Sequence, residues 1–168
     1  AGPVSLVFAR QPLPRVRLRA TDDDNRCRRG AYVLAEAHGG ARQVTLLATG
    51  SEVALALAAR EQLEAGGVPT AVVSMPCWAL FDAQDEAYRE QVLGPGTARV
   101  GIEAAVRFGW DRWLGARGGF VGMPGFGASG PADALYRHFG LTAEAIAAEA
   151  RRLLPAPLHR HPPERAPA

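Results

Sequence analysis

The sequence predicts an α/β fold, a three-layer α/β/α sandwich around a mostly parallel sheet. Two observations carry it. From residue 30 onward, short apolar runs of strand length recur, each parted from the next by a longer stretch of helical character. Glycine and proline punctuate the joins, as at Gly66-Gly67, Gly94-Pro95-Gly96 and Gly130-Pro131. Strands separated by helices pair in parallel through right-handed crossovers, which lay helices on both faces of the sheet.

The first apolar run, residues 3–9, carries Val4, Leu6, Val7 and Phe8 and reads as a strand delivering Arg10 and Gln11 at its carboxyl end. Residues 12–29 have no apolar period. They hold Pro12, Pro14, the run Asp22-Asp23-Asp24 and six arginines, so they read as an exposed linker that contains a domain boundary. Residues 31–35 form a short edge strand, for which an antiparallel direction stays open. A more apolar strand follows at 43–48, and Thr49-Gly50 turns into a helix over 51–65 that Gly66-Gly67 ends. Residues 69–75 are the next strand. An aromatic loop then leads to a helix at 82–93. Strand 98–103 precedes a helix over 104–114, which turns Trp110 and Trp113 towards the core, and a short last strand covers 120–123.

The closing helices span 132–139 and 142–154. The second sets Ile146, Ala150 and Leu153 on one face, with Glu144 in its first turn and Arg151 and Arg152 in its last, the charge order that a helix dipole favours. Pro155 stops it. The Pro-rich, polar composition of 155–168 predicts disorder.

At 168 residues and 48% apolar composition, the chain suits one domain with a sizeable core, plus tails. A formal net charge of +2 is too weak to suggest a nucleic-acid surface. All 19 basic residues are arginines, mostly spread along the chain. No apolar run approaches the roughly 20 residues of a membrane-spanning helix. The opening Ala-Gly-Pro has neither a basic region nor an apolar signal core, so a cytoplasmic location is expected. Cys27 and Cys77 are too few and too far apart for a disulfide framework or a four-ligand zinc site; Cys77, at a strand end, reads as a small buried apolar residue.

Several positions could bear chemistry. A guanidinium at a strand's carboxyl end, as at Arg10, can grip a phosphate through two parallel hydrogen bonds, although the pattern alone fits a surface arginine equally. Thr49-Gly50-Ser51-Glu52 reads as a helix cap, with Ser51 or Thr49 accepting free amides, rather than as an anion site. Glu103 closes an otherwise apolar strand. With no His or second carboxylate close in sequence, a structural or interface role stands ahead of a general base. The glycine-dense run 122–131 lacks P-loop spacing and a following Lys. It reads as a tight, close-packed turn with Pro131 in the first turn of the next helix. His38 and His138 are read as surface residues, and His159 and His161 as solvated in the tail. No catalytic constellation emerges.

The run Val72-Val73-Ser74-Met75-Pro76-Cys77-Trp78-Ala79-Leu80-Phe81-Asp82-Ala83-Gln84-Asp85-Glu86-Ala87-Tyr88-Arg89 combines Ser-Met-Pro, Phe-Asp-x-Gln and Tyr-Arg in that order. Together with Arg29-Gly30-Ala31-Tyr32-Val33-Leu34, Ala48-Thr49-Gly50-Ser51-Glu52-Val53, Phe126-Gly127-Ala128-Ser129-Gly130-Pro131 and Phe139-Gly140-Leu141-Thr142, it resembles the C-terminal domain of transketolase. The resemblance implies that residues 1–29 are the tail end of the preceding pyrimidine-binding domain plus a linker, that 30–154 are the C-terminal domain, and that 155–168 are a tail. It implies a role for Arg10 in holding the substrate's sugar phosphate. Ala9 stands where the family has a hydroxyl residue, so no hydroxyl contribution carries over.

The activity implied is two-carbon ketol transfer between ketose and aldose phosphates in the pentose phosphate pathway. The resemblance attaches it to a cytoplasmic homodimer that uses thiamine diphosphate and Mg. The family's Gly-Asp-Gly motif is absent from this sequence and its four histidines do not match the catalytic ones. The chain is therefore expected to hold neither cofactor nor metal, to be inactive alone, and to need the remaining transketolase domains or a partner subunit. The alternative expectation is a non-catalytic α/β module that binds a regulator or a partner at the sheet's carboxyl edge.

Overall fold

The computed structural model describes residues 3–9, 11–17 and 25–155. Its strands are β1 (Tyr32–Ala35), β2 (Val44–Ala48), β3 (Thr70–Ser74), β4 (Ala98–Ile102) and β5 (Gly119–Val121). They make one sheet in the order β1-β3-β2-β4-β5. Every pairing is parallel except β1 with β3, which is antiparallel with a register shift between Val33 and Ala35. The expected mostly parallel sheet is thus observed, and the direction left open for the edge strand is antiparallel. The helices are α1 (Val53–Ala65), α2 (Trp78–Asp82), α3 (Glu86–Leu93), α4 (Asp111–Leu114), α5 (Ala132–His138) and α6 (Ala143–Leu153). None is long and apolar enough to cross a membrane.

Central β2 is buried along its whole length, as a strand covered on both faces must be. Its neighbouring residues part company: Leu46 enters a cluster with Ala56, Ala59 and Leu63 of α1 and Ile146, Ala147 and Ala150 of α6. Leu47 enters another, with Phe81 of α2, Val92 of α3, and Trp110, Trp113 and Leu114 at α4. This strand alternation makes the three layers. On the aromatic face, Trp78 meets Trp110 edge-on at 5.1 Å between ring centroids, and Phe81 meets Trp113 at 5.0 Å. Gly101 of β4 leaves room for this packing, since a Cβ there would lie 3.0 Å from both Phe120 and Trp110. Gly30 fixes the entry to β1 at φ +80°; a side chain would drive into the Phe81 amide and the Cys77 carbonyl. The Gly30 carbonyl also accepts from the Cys77 amide at 3.0 Å, tying β1 to the start of α2.

Four expectations are corrected. Residues 3–9 form no strand: Val4, Leu6, Val7 and Phe8 are 74–94% exposed, and no described strand offers them a ladder. The helix expected over 82–93 begins earlier and breaks in two. The Asp85 side chain accepts from the Tyr88 amide at 2.8 Å and starts α3 afresh, while the supposed aromatic loop is itself α2. The helix expected over 104–114 shrinks to α4, because Gly109 at φ +88° interrupts it just before Trp110. Pro131 caps α5 rather than sitting in its first turn. The tail beyond 155 lies outside the described residues.

Candidate functional site

Parallel α/β sheets place ligands beyond the carboxyl ends of their strands, where chain reversals expose free backbone groups and side chains converge. Here β2 leads to Glu52 and β4 to Glu103, and each carboxylate is claimed by an aromatic donor. The Tyr136 hydroxyl of α5 donates to Glu52 Oε1 at 2.6 Å, and Ser51 Oγ donates to the same oxygen at 2.8 Å. The Trp110 indole Nε1–H donates to Glu103 Oε2 at 2.6 Å. Glu52 is only 4% exposed. Burial first, and then the bond to Glu52, push the Tyr136 hydroxyl up to about 12. The proton therefore stays on the phenol and the pair keeps its sense, Tyr136 giving and Glu52 receiving.

Both carboxylates act as anchors that hold helical segments to strand ends. For Glu103 this is the structural role expected. Glu52 corrects the cap reading: neither Thr49 nor Glu52 makes a side-chain cap hydrogen bond, and Ser51 spends its hydroxyl on Glu52. Glu52's own amide, bonded to the Thr49 carbonyl, helps close the short 3-10 turn Gly50–Glu52.

The glycine-dense loop is also looser than expected. Gly122 is close-packed, with Phe120 and the Ala105 carbonyl where its Cβ would be, but residues 124–130 are exposed and Phe126 wholly so. The Met123 amide donates to the Ala105 carbonyl at 2.9 Å, so this loop and the one after β4 share the sheet's carboxyl edge. Cys77 is half-buried rather than buried. His38 and His138 are exposed, as expected. Arg10, the sole substrate-binding residue expected, lies outside the described residues, as do His159 and His161.

The donor set does not fit the metal of a metal–diphosphate cofactor: among the described residues, no group of three or more His, Cys, Asp or Glu could hold a metal ion. The Tyr136–Glu52 link was not legible in the sequence because the partners stand 84 residues apart and no spacing rule joins them.

Comparison with known proteins gives consistent matches. Residues 30–142 match the family model described as a transketolase-like C-terminal domain. A transketolase of Sinorhizobium medicae is 57% identical over 153 residues, covering 90% of this chain and 22% of the relative. The transketolase structure from Leishmania mexicana superposes with a TM-score of 0.68 at 44% identity, over 75% of this chain and 18% of that one. Another solved structure, described as a split-gene transketolase in an inactive beta4 tetramer, gives a TM-score of 0.65 at 26% identity. It covers 86% of this chain and 47% of its own. The chain spans about a fifth of the length of the curated relatives it matches.

Proposed function

Since the chain belongs to the transketolase family through its C-terminal domain, we propose that it works as the C-terminal portion of a thiamine-diphosphate-dependent transketolase. The observation that carries this reading is one of lengths: 90% of the chain aligns at 57% identity with only 22% of a transketolase. The proposed activity of the whole is two-carbon ketol transfer between ketose and aldose phosphates in the pentose phosphate pathway, by a cytoplasmic homodimer. Thiamine diphosphate, with Mg, would supply the electron sink for that transfer and would be held by residues outside this chain.

The chain's own part is then positional. Residues 30–154 form the C-terminal domain, and residues 1–29 join it to the pyrimidine-binding domain. Val4, Leu6, Val7 and Phe8, exposed and without a ladder among the described residues, suit a segment that becomes a strand only against the sheet of that neighbouring domain. Arg10, at its end, grips the sugar phosphate of the substrate.

Co-expression with the missing cofactor-binding portion tests this. Ketol transfer should appear only when both parts are present, and the isolated chain should show none on addition of thiamine diphosphate and Mg. In the assembled enzyme, Arg10→Ala should lower kcat/KM for phosphorylated donors by at least about 10-fold, the loss of one charge-assisted contact. Turnover of hydroxypyruvate, which has no phosphate, should change much less. Equal losses on both donors would remove Arg10 from the phosphate site.

A second reading, a subunit-interaction module without catalysis, is favoured by the split-gene structure described as an inactive beta4 tetramer. Native mass spectrometry separates the two. A chain that assembles only with itself, and ignores the cofactor-binding portion, supports the second.

A further inference from the structure

An open cleft of about 1100 Å³ lies at the amino ends of β2, β4 and β5, across the sheet from Glu52 and Glu103. Arg42, Arg99, Arg117 and Arg152 line it and, among the described residues, no carboxylate does. Two of these cations are compensated from outside the cleft. Arg42 donates through Nε and Nη2 to the two carboxylate oxygens of Glu36, and Arg152 does the same to Glu149.

The other two are not compensated. Arg99, half-buried on β4, donates Nη1 to the Trp113 carbonyl at 3.0 Å and Nη2 to the Gly94 carbonyl at 3.4 Å. Neither acceptor carries a formal charge. Burial pulls this guanidinium below its usual value, and Glu90 opposes that only through space. Arg117, exposed on the loop between α4 and β5, makes no hydrogen bond or ion pair with the described residues. The carboxyl end of α6 brings carbonyl oxygens to the rim, so attraction for an anion must come from the guanidinium groups.

We infer that this cleft binds a small molecule bearing a diphosphate, with Arg99 and Arg117 as its charge partners. A partly dry guanidinium without a carboxylate is an unmet electrostatic demand, and the guanidinium fork matches phosphate oxygens in pairs. Two such groups call for an anion carrying more than one charge. The volume exceeds what phosphate alone would fill and is in the range of organic-ligand sites. The inference does not rest on the transketolase reading, because the cleft is built wholly from this chain.

Calorimetric titration of the chain with inorganic diphosphate, ADP and inorganic phosphate, all at one ionic strength set with sodium chloride, tests it. Diphosphate and ADP should bind saturably and compete with each other, with phosphate weaker. A match between diphosphate and ADP assigns recognition to the anion; tighter ADP shows that the cleft also reads the organic part. Arg99→Gln and Arg117→Gln should each weaken binding about 10-fold, which is about 1.4 kcal/mol. Arg137→Gln, an exposed arginine on α5 outside the cleft, should leave it unchanged. Arg117→Gln removes an exposed charge with no packing role, so a null result cannot be blamed on misfolding. Absence of saturable diphosphate binding, or binding that both cleft variants leave intact, overturns the inference.

Discussion

The two faces of the sheet solve the same burial problem with different residues. On one, α1 and α6 press alanines against β2 and β4, with Leu63 and Ile146 as the larger contacts. Alanine lets a helix approach closely and costs little conformational entropy, so long regular helices suffice. On the other face, Trp78, Phe81, Trp110 and Trp113, set by a five-residue and a four-residue helix and their loops, pack with Phe120 of β5. Large rings fill space that short elements cannot, but Trp and Tyr bring N–H and O–H groups that need acceptors. The aromatic face therefore depends on specific polar anchors: Tyr88 Oη–H to the Ala31 carbonyl at 2.8 Å, Arg99 to the Trp113 carbonyl, and the Trp110 indole to the Glu103 carboxylate. One donor, Trp113 Nε1, has no partner among the described residues. The alanine face is held by area, the aromatic face by a few specific bonds.

That contrast predicts its own largest effect. Trp110, fully buried, should cost about 3–5 kcal/mol when truncated to Ala, whereas Ile146→Val on the alanine face should cost about 0.5–1.5 kcal/mol. Urea unfolding of the two variants gives both numbers. Similar costs would mean that the aromatic cluster is padding rather than a keystone.

The same contrast explains what could be read from the sequence. Buried strands left runs of apolar residues and the helices long stretches between glycine and proline stops, so β2, β3, β4, α1 and α6 fell near their expected places. The aromatic side left none. A glycine at 109 and a capping Asp85 decide where its helices stop, and apolar run length cannot weigh such single residues against a long helical stretch. At the carboxyl edge, Glu103 was legible as a structural carboxylate because it closes an apolar strand. Glu52 was not, because its burial is set by Tyr136, far along the chain. The arginine-lined cleft was invisible for a related reason: positions 42, 99, 117 and 152 look evenly spread until crossovers bring the amino ends of β2, β4 and β5 together.

A sharper cut at the comparison comes from the bond between Glu103 and Trp110. Glu103→Leu would leave a buried indole N–H without an acceptor, and should cost about 1–3 kcal/mol. Glu103→Gln keeps an oxygen at that position and should recover most of the loss. Trp113→Phe is the matched control on the same face, since it deletes a donor that has no partner, so it should cost less than Trp110→Phe, which orphans a carboxylate. If the two Trp→Phe variants proved equal, ring volume rather than hydrogen bonding would hold the aromatic side.

The smallest effect tests whether the alanine face carries a polar anchor of its own. Tyr136→Phe deletes the hydroxyl that reaches Glu52 and should cost about 1 kcal/mol at neutral pH, since the ring is only partly buried and Ser51 still serves the carboxylate. The pH dependence fixes the interpretation. In the folded chain the phenol is pushed up from 10.0 to about 12, so the folded state holds its proton where the unfolded chain has already lost it. The stabilisation is complete below pH 10 and should drain away as pH rises towards 12, and Tyr136→Phe should remove that slope. Tyrosinate absorbance of the folded protein, taken as the difference between wild type and Tyr136→Phe, isolates this one phenol from Tyr32 and Tyr88. Ionisation of Tyr136 near pH 10 would show that its hydroxyl does not hold Glu52.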